Sequence, residues 1–402
     1  MEKVRIGIIG MGNMGTNHAK KIAAGEIPGA ELTAICDPRP DRLKWARENL
    51  GEKVQLFETP EAMFGADVEK GSGSAGFAAP TSKIIEAVIV ATPHYDHPGM
   101  AIRCFQNNLH VLVEKPAGVY TGQVREMNEA AAKSGKVFGI MYNQRTNPIY
   151  QKLRELIRQG ELGEIKRTNW IITSWYRSQS YYDSGGWRAT WAGEGGGVLL
   201  NQDPHQLDLW QWTCGMPKRV RAFMAFGKYH TIEVEDDVTA YVEYENGATG
   251  VFVTSTGETP GTNRFEVTGD RGKIVIEDEK LTFWRLVVPE RQFNREYQGG
   301  FGEPEHWKCE IPVKGTATQH VGIMSNWVDA ILKGTPLLAP GNEGIKGLEI
   351  SNAMHLSAWT DRMVELPIDE GLFYEKLQEK ISQSTFKKAA TGNQTLDVTG
   401  TH

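Results

Sequence analysis

The strongest constraint on this chain lies in its first 37 residues. Residues 4–9, Val-Arg-Ile-Gly-Ile-Ile, form an apolar run of strand length. Gly10-Met11-Gly12-Asn13-Met14-Gly15 follows at once, ahead of a helix-forming stretch over 16–24. Glycines at this spacing mean little alone, but between a strand and a helix they have a specific physical use. Gly10 permits the tight turn, Gly12 admits a pyrophosphate to the backbone, and Gly15 lets the helix pack closely on the strand. The helix N-terminus then meets the phosphate charge, with Met11, Asn13 and Met14 supplying backbone around it. A second strand, 31–36, ends in Asp37, roughly 20 residues after the glycines, where a carboxylate binds a ribose 2′-hydroxyl. That carboxylate repels a 2′-phosphate, so NAD is favoured over NADP. Arg39 is the nearby residue able to accept a phosphate instead.

At 402 residues the chain exceeds what one core usually supports, so two domains are expected. The first, 1–145, reads as an α/β Rossmann domain, with further strands at 54–57, 84–90, 110–113 and 137–141. Strand 84–90 runs into Ala91-Thr92-Pro93-His94, with His97 just beyond. Strand 110–113 runs into Glu114-Lys115-Pro116, and the last strand into Tyr142-Asn143. Ligands bind at the carboxyl ends of strands in open sheets of this kind. A desolvated lysine there can polarise a hydroxyl or carbonyl, or relay its proton. The plainer reading of Glu114-Lys115 is an ion pair at a strand end, and an unusual peptide geometry at Pro116 is conceivable. Residues 69–80 are rich in Gly, Ser and Ala and read as a mobile surface insertion in preference to a lid.

The second domain, 146–385, reads as α+β. Strands are expected at 166–173, 220–226, 237–244, 250–256, 264–269, 272–277 and 280–285, joined by turn signals at Asn246-Gly247 and at 269–272. Tight connections imply antiparallel pairing. Helices are expected at 148–159, 317–334 and 342–364, and the polar tail 386–402 is expected to be flexible. An aromatic run, Trp175, Tyr176, Tyr181, Tyr182, Trp187 and Trp191, is interleaved with Arg177, Gln179, Asp183 and Arg188. Such a mixture suits the C–H faces and hydroxyls of a sugar or cyclitol, although about half of these rings should simply cover the sheet. Glu235-Asp236-Asp237 reads as a solvated strand entry, and no metal site is expected.

The stretch 195–210 carries Gly-Gly-Gly, then Asn201, Asp203, Pro204, His205 and Asp208. If a helix already covers Asn201, then Asn201 and His205 share one face, and Asp208 lies close enough to orient the imidazole. Alone, this pattern is an ordinary buried histidine.

Taken together, the glycine turn, Ala91-Thr92-Pro93 with His97, Glu114-Lys115-Pro116, and Gly-Gly-Gly-x-Leu-x-Asn-x-x-x-His at 195–205 resemble the glucose-fructose oxidoreductase / inositol dehydrogenase / rhizopine-catabolism family. The resemblance spans nearly the whole chain. It implies a largely antiparallel, open-faced C-terminal sheet, often an oligomer interface, and therefore a homodimer or homotetramer. It also places Trp187-Arg188 near the cofactor, together with Thr92, Pro93, His94, His97, Glu114 and Asn143. Many relatives carry Asp where this chain has Asn201, so a mechanism needing a carboxylate there is in doubt, and Asp203 replaces it only by reaching the cleft.

The expected function is hydride transfer between NAD and a secondary alcohol of a sugar, cyclitol or glycoside. His205 acts as acid/base, Lys115 polarises, and Asn201 positions the substrate. Tyr142, Trp175, Tyr176 and Arg177 are further candidate substrate contacts. Two alternatives share these features: an enzyme that retains NAD and cleaves or epimerises a glycoside through transient oxidation, and a non-catalytic sensor, against which intact Lys115 and His205 argue. A net charge of −6 without a basic block argues against nucleic acid or anionic membrane as the main partner. No apolar run is long enough to span a bilayer, and Cys36, Cys104, Cys214 and Cys309 are scattered, as expected for a cytoplasmic chain.

Overall fold

The computed structural model describes residues 2–66 and 83–387. The expected insertion at 69–80 and nearly all of the expected tail at 386–402 lie outside the described residues. The N-terminal strands are β1 (Val4–Ile9), β2 (Ala30–Cys36), β3 (Gln55–Phe57), β4 (Ala87–Val90), β5 (His110–Val113) and β6 (Phe138–Ile140). They form one sheet in the order β3-β2-β1-β4-β5-β6, with every pairing parallel. Parallel strands need crossovers, and helices supply them on both faces, so β4, Ala-Val-Ile-Val, is buried throughout. The chain leaves β1 towards β2 on one side and returns to β4 on the other. That reversal opens a crevice at the carboxyl ends of β1 and β4.

The second sheet has nine strands: β7 (Ile165–Ile172), β8 (Arg219–Phe226), β9 (Glu235–Glu243), β10 (Thr249–Ser255), β11 (Asn263–Gly269), β12 (Gly272–Glu277), β13 (Lys280–Leu286), β14 (His306–Ile311) and β15 (Val364–Glu365). Their order is β14-β13-β12-β11-β7-β10-β9-β8-β15, antiparallel except where β7 pairs with β10. One face is core. Val238, Ala240 and Val242 of β9 point in, while Thr239 and Tyr241 alternate outward. Trp170 stacks on Phe265 at 4.2 Å and Trp210 on Phe252 at 5.3 Å, which brings the helix Pro204–Cys214 onto this face. The helix Gly344–Thr360 lies against β8, where Ser357 Oγ accepts the Ala222 N–H at 3.0 Å.

Two strands and one long helix were not foreseen. β14 reads His-Trp-Lys-Cys-Glu-Ile, too polar to signal a strand, and becomes one by pairing with β13. β15 is two residues long, too short to show a period. The helix Glu370–Gln383 is N-capped by Asp369, which accepts the Leu372 N–H at 2.9 Å, and it is tied to the first domain through Arg125–Glu370. Between the two sheets, Asn352 is the clasp: its amide accepts from Thr121 N and donates to Val119 O, both at 3.1 Å. Among the described residues no helix is long and apolar enough to cross a membrane.

Candidate active site

β1 ends in Gly10, at φ +94°, where a Cβ would lie 2.5 Å from Ala91 O. A Cβ on Gly15 would lie 1.9 Å from Gly10 O, so the helix Asn13–Ala23 reaches the turn only because Gly15 lacks a side chain. At Gly12 nothing lies within 4 Å of the Cβ position, and no side chain caps the helix that follows. An open cradle above uncapped N–H groups is what a pyrophosphate requires. Asp37, 6% exposed, accepts from Met11 N at 2.7 Å and from Arg39 N at 2.9 Å, which fixes a carboxylate beside the cradle. Arg39 is engaged by both oxygens of Asp41, at 3.1 and 2.7 Å, so its charge is already balanced. Thr92 Oγ1 and Asn143 Oδ1 are buried without partners, while Asn143 Nδ2 holds Gln319 at 2.5 Å. The residues present fit NAD.

The loop after β4 is strutted by His97, whose two ring nitrogens lie 2.7 Å from Thr92 O and from Pro116 O. His97 therefore joins the loops that follow β4 and β5. Pro93 is exposed. His94 meets Glu194 O at 3.2 Å and Trp187 edge-on at 5.7 Å. Glu114 is committed elsewhere than expected. One oxygen lies 2.5 Å from His18 Nε2 on the glycine-turn helix, and the other accepts the Lys115 N–H at 3.1 Å. Burial would raise its pKa, but His18, His320 and Lys115 bring it down to about 2. Glu114 thus bolts the dinucleotide turn to the strand that carries the lysine.

The Lys115–Pro116 peptide is cis, and Lys115 Nζ donates to Asn201 O at 2.9 Å. Burial lowers the Lys115 pKa, Glu114 and Glu194 oppose that, and Arg188 and Arg177 add to it. His205, 7% exposed, has its pKa pushed well down by burial, by Lys115 and by His320, so it is the neutral imidazole, able to accept a proton. Its Nδ1 is buried without a partner. Tyr142 presents its ring edge-on to His205 at 6.2 Å, while its hydroxyl donates to Gly344 O at 3.3 Å.

Three sequence expectations need correction here. Asn201 and His205 do not share a helix. A short helix, Val198–Asn201, ends at Asn201, and a new one begins at Pro204, because proline favours a first helical turn. Asp208 does not orient His205. Both its oxygens bind Arg145, at 2.8 and 2.6 Å. Glu235 and Asp236 are not solvated but fully buried. Glu235 accepts the Gly197 and Leu199 N–H groups at 2.8 and 3.1 Å and lies 3.0 Å from His355, and Asp236 accepts the N–H groups of Lys228, Tyr229 and His230. The offset of two between Asn201 and Asp203 already speaks against Asp203 in the cleft, and its side chain lies elsewhere. It is fully buried beside Thr254 and Trp175, and burial pushes its pKa up to about 8 although both neighbours oppose the shift.

Asp203 gives a test of stability. Between its ordinary value of 3.8 and about 8, the folded chain holds a proton that the unfolded chain releases, so stability falls as pH rises through that window. Asp203→Asn removes this dependence. Its melting temperature is expected to exceed the wild type's by about 2 °C or more near pH 9 and to match it near pH 4. A difference that does not change with pH sinks the assignment.

The aromatic run divides. Tyr182 and Trp191 are core, with the Tyr182 hydroxyl on Thr256 at 2.8 Å and Trp191 against Phe226, His355 and Trp359. Tyr176 is 49% exposed, and its carbonyl accepts from Arg177. Trp175, Tyr181 and Trp187 form a wall with the arginines. Arg188 lies 4.6 Å over both Tyr181 and Trp187, and Arg177 lies 5.6 Å over Trp175 and 5.3 Å over Tyr181. Sequence reasoning missed Glu194, which accepts from Asn201 Nδ2 and from Ala189 N. Its one local signal is a carboxylate directly before the three glycines.

A switch-point crevice with a dinucleotide turn, entered by a lysine and a neutral histidine, defines a nicotinamide-dependent oxidoreductase. Family models agree. Residues 4–142 match the oxidoreductase family with the NAD-binding Rossmann fold, and residues 150–275 match the GFO/IDH/MocA C-terminal domain. The chain belongs to this family of NAD-binding oxidoreductases. It is 24% identical over 370 residues to myo-inositol 2-dehydrogenase of Thermotoga maritima, covering 90% of this chain and 98% of that protein. It is 29% identical over 265 residues to D-glucoside 3-dehydrogenase of Escherichia coli, covering 61% and 68% respectively. Among solved structures, the WlbA dehydrogenase of Bordetella pertussis in complex with NADH and UDP-GlcNAcA superposes with a TM-score of 0.74 at 25% identity, over 92% of this chain and all of that one.

Proposed function

We propose that this protein oxidises a secondary alcohol on a cyclic polyol, namely a cyclitol, sugar or glycoside, with His205 and Lys115 managing the hydroxyl proton. The observation that carries this reading is that a buried His205, its pKa pushed well down, sits within the field of a half-buried Lys115 whose Nζ is held at 2.9 Å by Asn201 O. Gly10, Gly12 and Gly15 with Asp37 would hold NAD, which would supply the hydride acceptor. His205 takes the hydroxyl proton, and the Lys115 ammonium stabilises the charge that grows on the oxygen. The same ammonium keeps the imidazole neutral and so ready to accept. Asn201 orients the substrate by hydrogen bonds, and the wall of Trp175, Tyr181 and Trp187 offers faces to ring C–H groups. The relatives named for inositol and glucoside dehydrogenation support the substrate class.

The test is NADH formation from NAD with myo-inositol, scyllo-inositol, simple hexoses and methyl glucosides. Steady turnover with one class is expected. No NADH from any of them, with the protein folded and NAD bound, overturns the reading.

We infer further that the dinucleotide half ends near residue 145 and the substrate half spans 146–385, consistent with where the two family models match. The outer face of the second sheet exposes Phe223 at 60%, with Ile171 and Tyr241 on the same face, a surface that suits a second copy of the chain. A monomer in sedimentation at micromolar protein would remove that assembly. The unpaired cysteines support a cytoplasmic enzyme, which cell fractionation checks.

A further inference from the structure

Asn201 has no charge, yet its carboxamide is bonded directly to a buried carboxylate. Glu194 is 2% exposed and sits immediately before Gly195-Gly196-Gly197. Its Oε1 accepts from Asn201 Nδ2, and its Oε2 accepts from Ala189 N at 2.6 Å. Arg188 NH1 lies 3.8 Å from Oε1, and the His94 ring meets the Glu194 carbonyl. On the other side of Asn201, its backbone carbonyl takes the Lys115 ammonium at 2.9 Å, and its Oδ1 takes the Tyr181 hydroxyl at 3.4 Å.

Resting on the oxidoreductase reading above, we propose that Glu194 is a positioning residue of the active site: it orients the Asn201 carboxamide and supplies the negative charge that keeps the neighbouring Lys115 ammonium protonated.

The chemistry follows from donor and acceptor roles. An amide has one end that donates and one that accepts. A carboxylate only accepts, so Glu194 can bond only the NH2 end of Asn201. The carbonyl end is thereby turned towards Tyr181, where it can accept from a hydroxyl. The charge acts separately. Lys115 is half-buried and faces two carboxylates, Glu114 and Glu194, against two guanidinium groups, Arg188 and Arg177, with His205, His94 and His320 close enough to feel its charge. Glu114 is already engaged by His18. Neutralising Glu194 leaves the arginines less opposed, and Lys115 gives up its proton at a lower pH. A carboxylate one hydrogen bond beyond Asn201 thus does for the ammonium what a carboxylate at 201 itself would do.

The test uses Glu194→Gln and Glu194→Asp in the full-length protein. The titration of Lys115 is read by competitive acetylation with acetic anhydride across pH, quantified by peptide mass spectrometry. This readout needs no substrate. In Glu194→Gln, Lys115 is expected to titrate about one pH unit lower or more, a tenfold rise in reactivity at a fixed pH below its pKa. In Glu194→Asp the titration should return most of the way. With a polyol that turns over, the alkaline limb of kcat should move down by the same amount in Glu194→Gln and return in Glu194→Asp. Unchanged Lys115 titration in a folded Glu194→Gln overturns the proposal, as does a loss of activity that leaves the pH profile in place. Lys115→Met separates the two readings. If Lys115→Met keeps more than about a tenth of the wild-type kcat, the catalytic reading fails whatever Glu194 does. If Lys115→Met falls below that and the Glu194→Gln titration is unshifted, the role of Glu194 alone fails.

Discussion

Lys115→Met is expected to lower kcat/KM for the polyol by about 10³-fold or more, the range of a lost proton-managing group combined with a lost electrostatic donor. Methionine keeps the length of the side chain and removes the ammonium that Asn201 O holds at 2.9 Å. The loss should fall mainly on kcat, because the charge matters most as the alkoxide develops. A second consequence follows from electrostatics. Lys115 is among the groups that depress His205, after burial. Without it the imidazole protonates more readily, so the acid limb of the residual activity should move to higher pH. Steady-state kinetics across pH, with an unchanged melting profile as the control for folding, checks both. Retention of more than about a tenth of the wild-type kcat would remove Lys115 from the mechanism.

The largest expected loss of stability comes from Arg145. Its guanidinium is fully buried and bound by both oxygens of Asp208, by Glu343 at 2.6 Å and by Leu338 O at 3.1 Å, between the rings of Tyr142 and Trp212. Arg145→Leu leaves Asp208 buried with Gln211 as its neighbour, and removing one member of a buried pair costs about 3–5 kcal/mol. Burial already raises the Asp208 pKa and Arg145 opposes this, so in the variant the carboxyl rises further. The sign follows: the deficit is full where Asp208 is ionised, above the raised value, and shrinks as pH falls through that value, where Asp208 takes up a proton. Adding Asp208→Leu should recover part of the loss, because the uncompensated charge has gone. Urea midpoints for the two variants decide it. A change under about 1 kcal/mol for Arg145→Leu would mean that the pair contributes little.

The Arg145–Asp208 pair also shows where sequence reasoning stopped. Asp208 lies three residues beyond His205, and local spacing alone favoured contact between them. Its true partner lies 63 positions away, on the chain just after β6. The same holds for Glu235, whose partners are the backbone at 197–199 and His355, and for Glu194, whose bond to Asn201 depends on how the loop before the glycines folds back. Three consecutive acids look solvated when only composition is visible. Tertiary folding buries two of them against backbone donors.

What the sequence determined by itself was carried by neighbouring residues: the turn at Gly10–Gly15 with its acid at Asp37, the apolar strands of the parallel sheet, the alternating strands of the second, and the arrival of Lys115 at a strand's carboxyl end. Each depends on sterics or periodicity within a few residues, and those are written locally. The tertiary structure alone decided which charges meet. It set Glu114 on His18, Asp208 on Arg145, Asp203 in the core and Glu194 behind Asn201. Burial makes a charge costly until it finds a partner, and the partners available are those the fold brings together from distant parts of the chain.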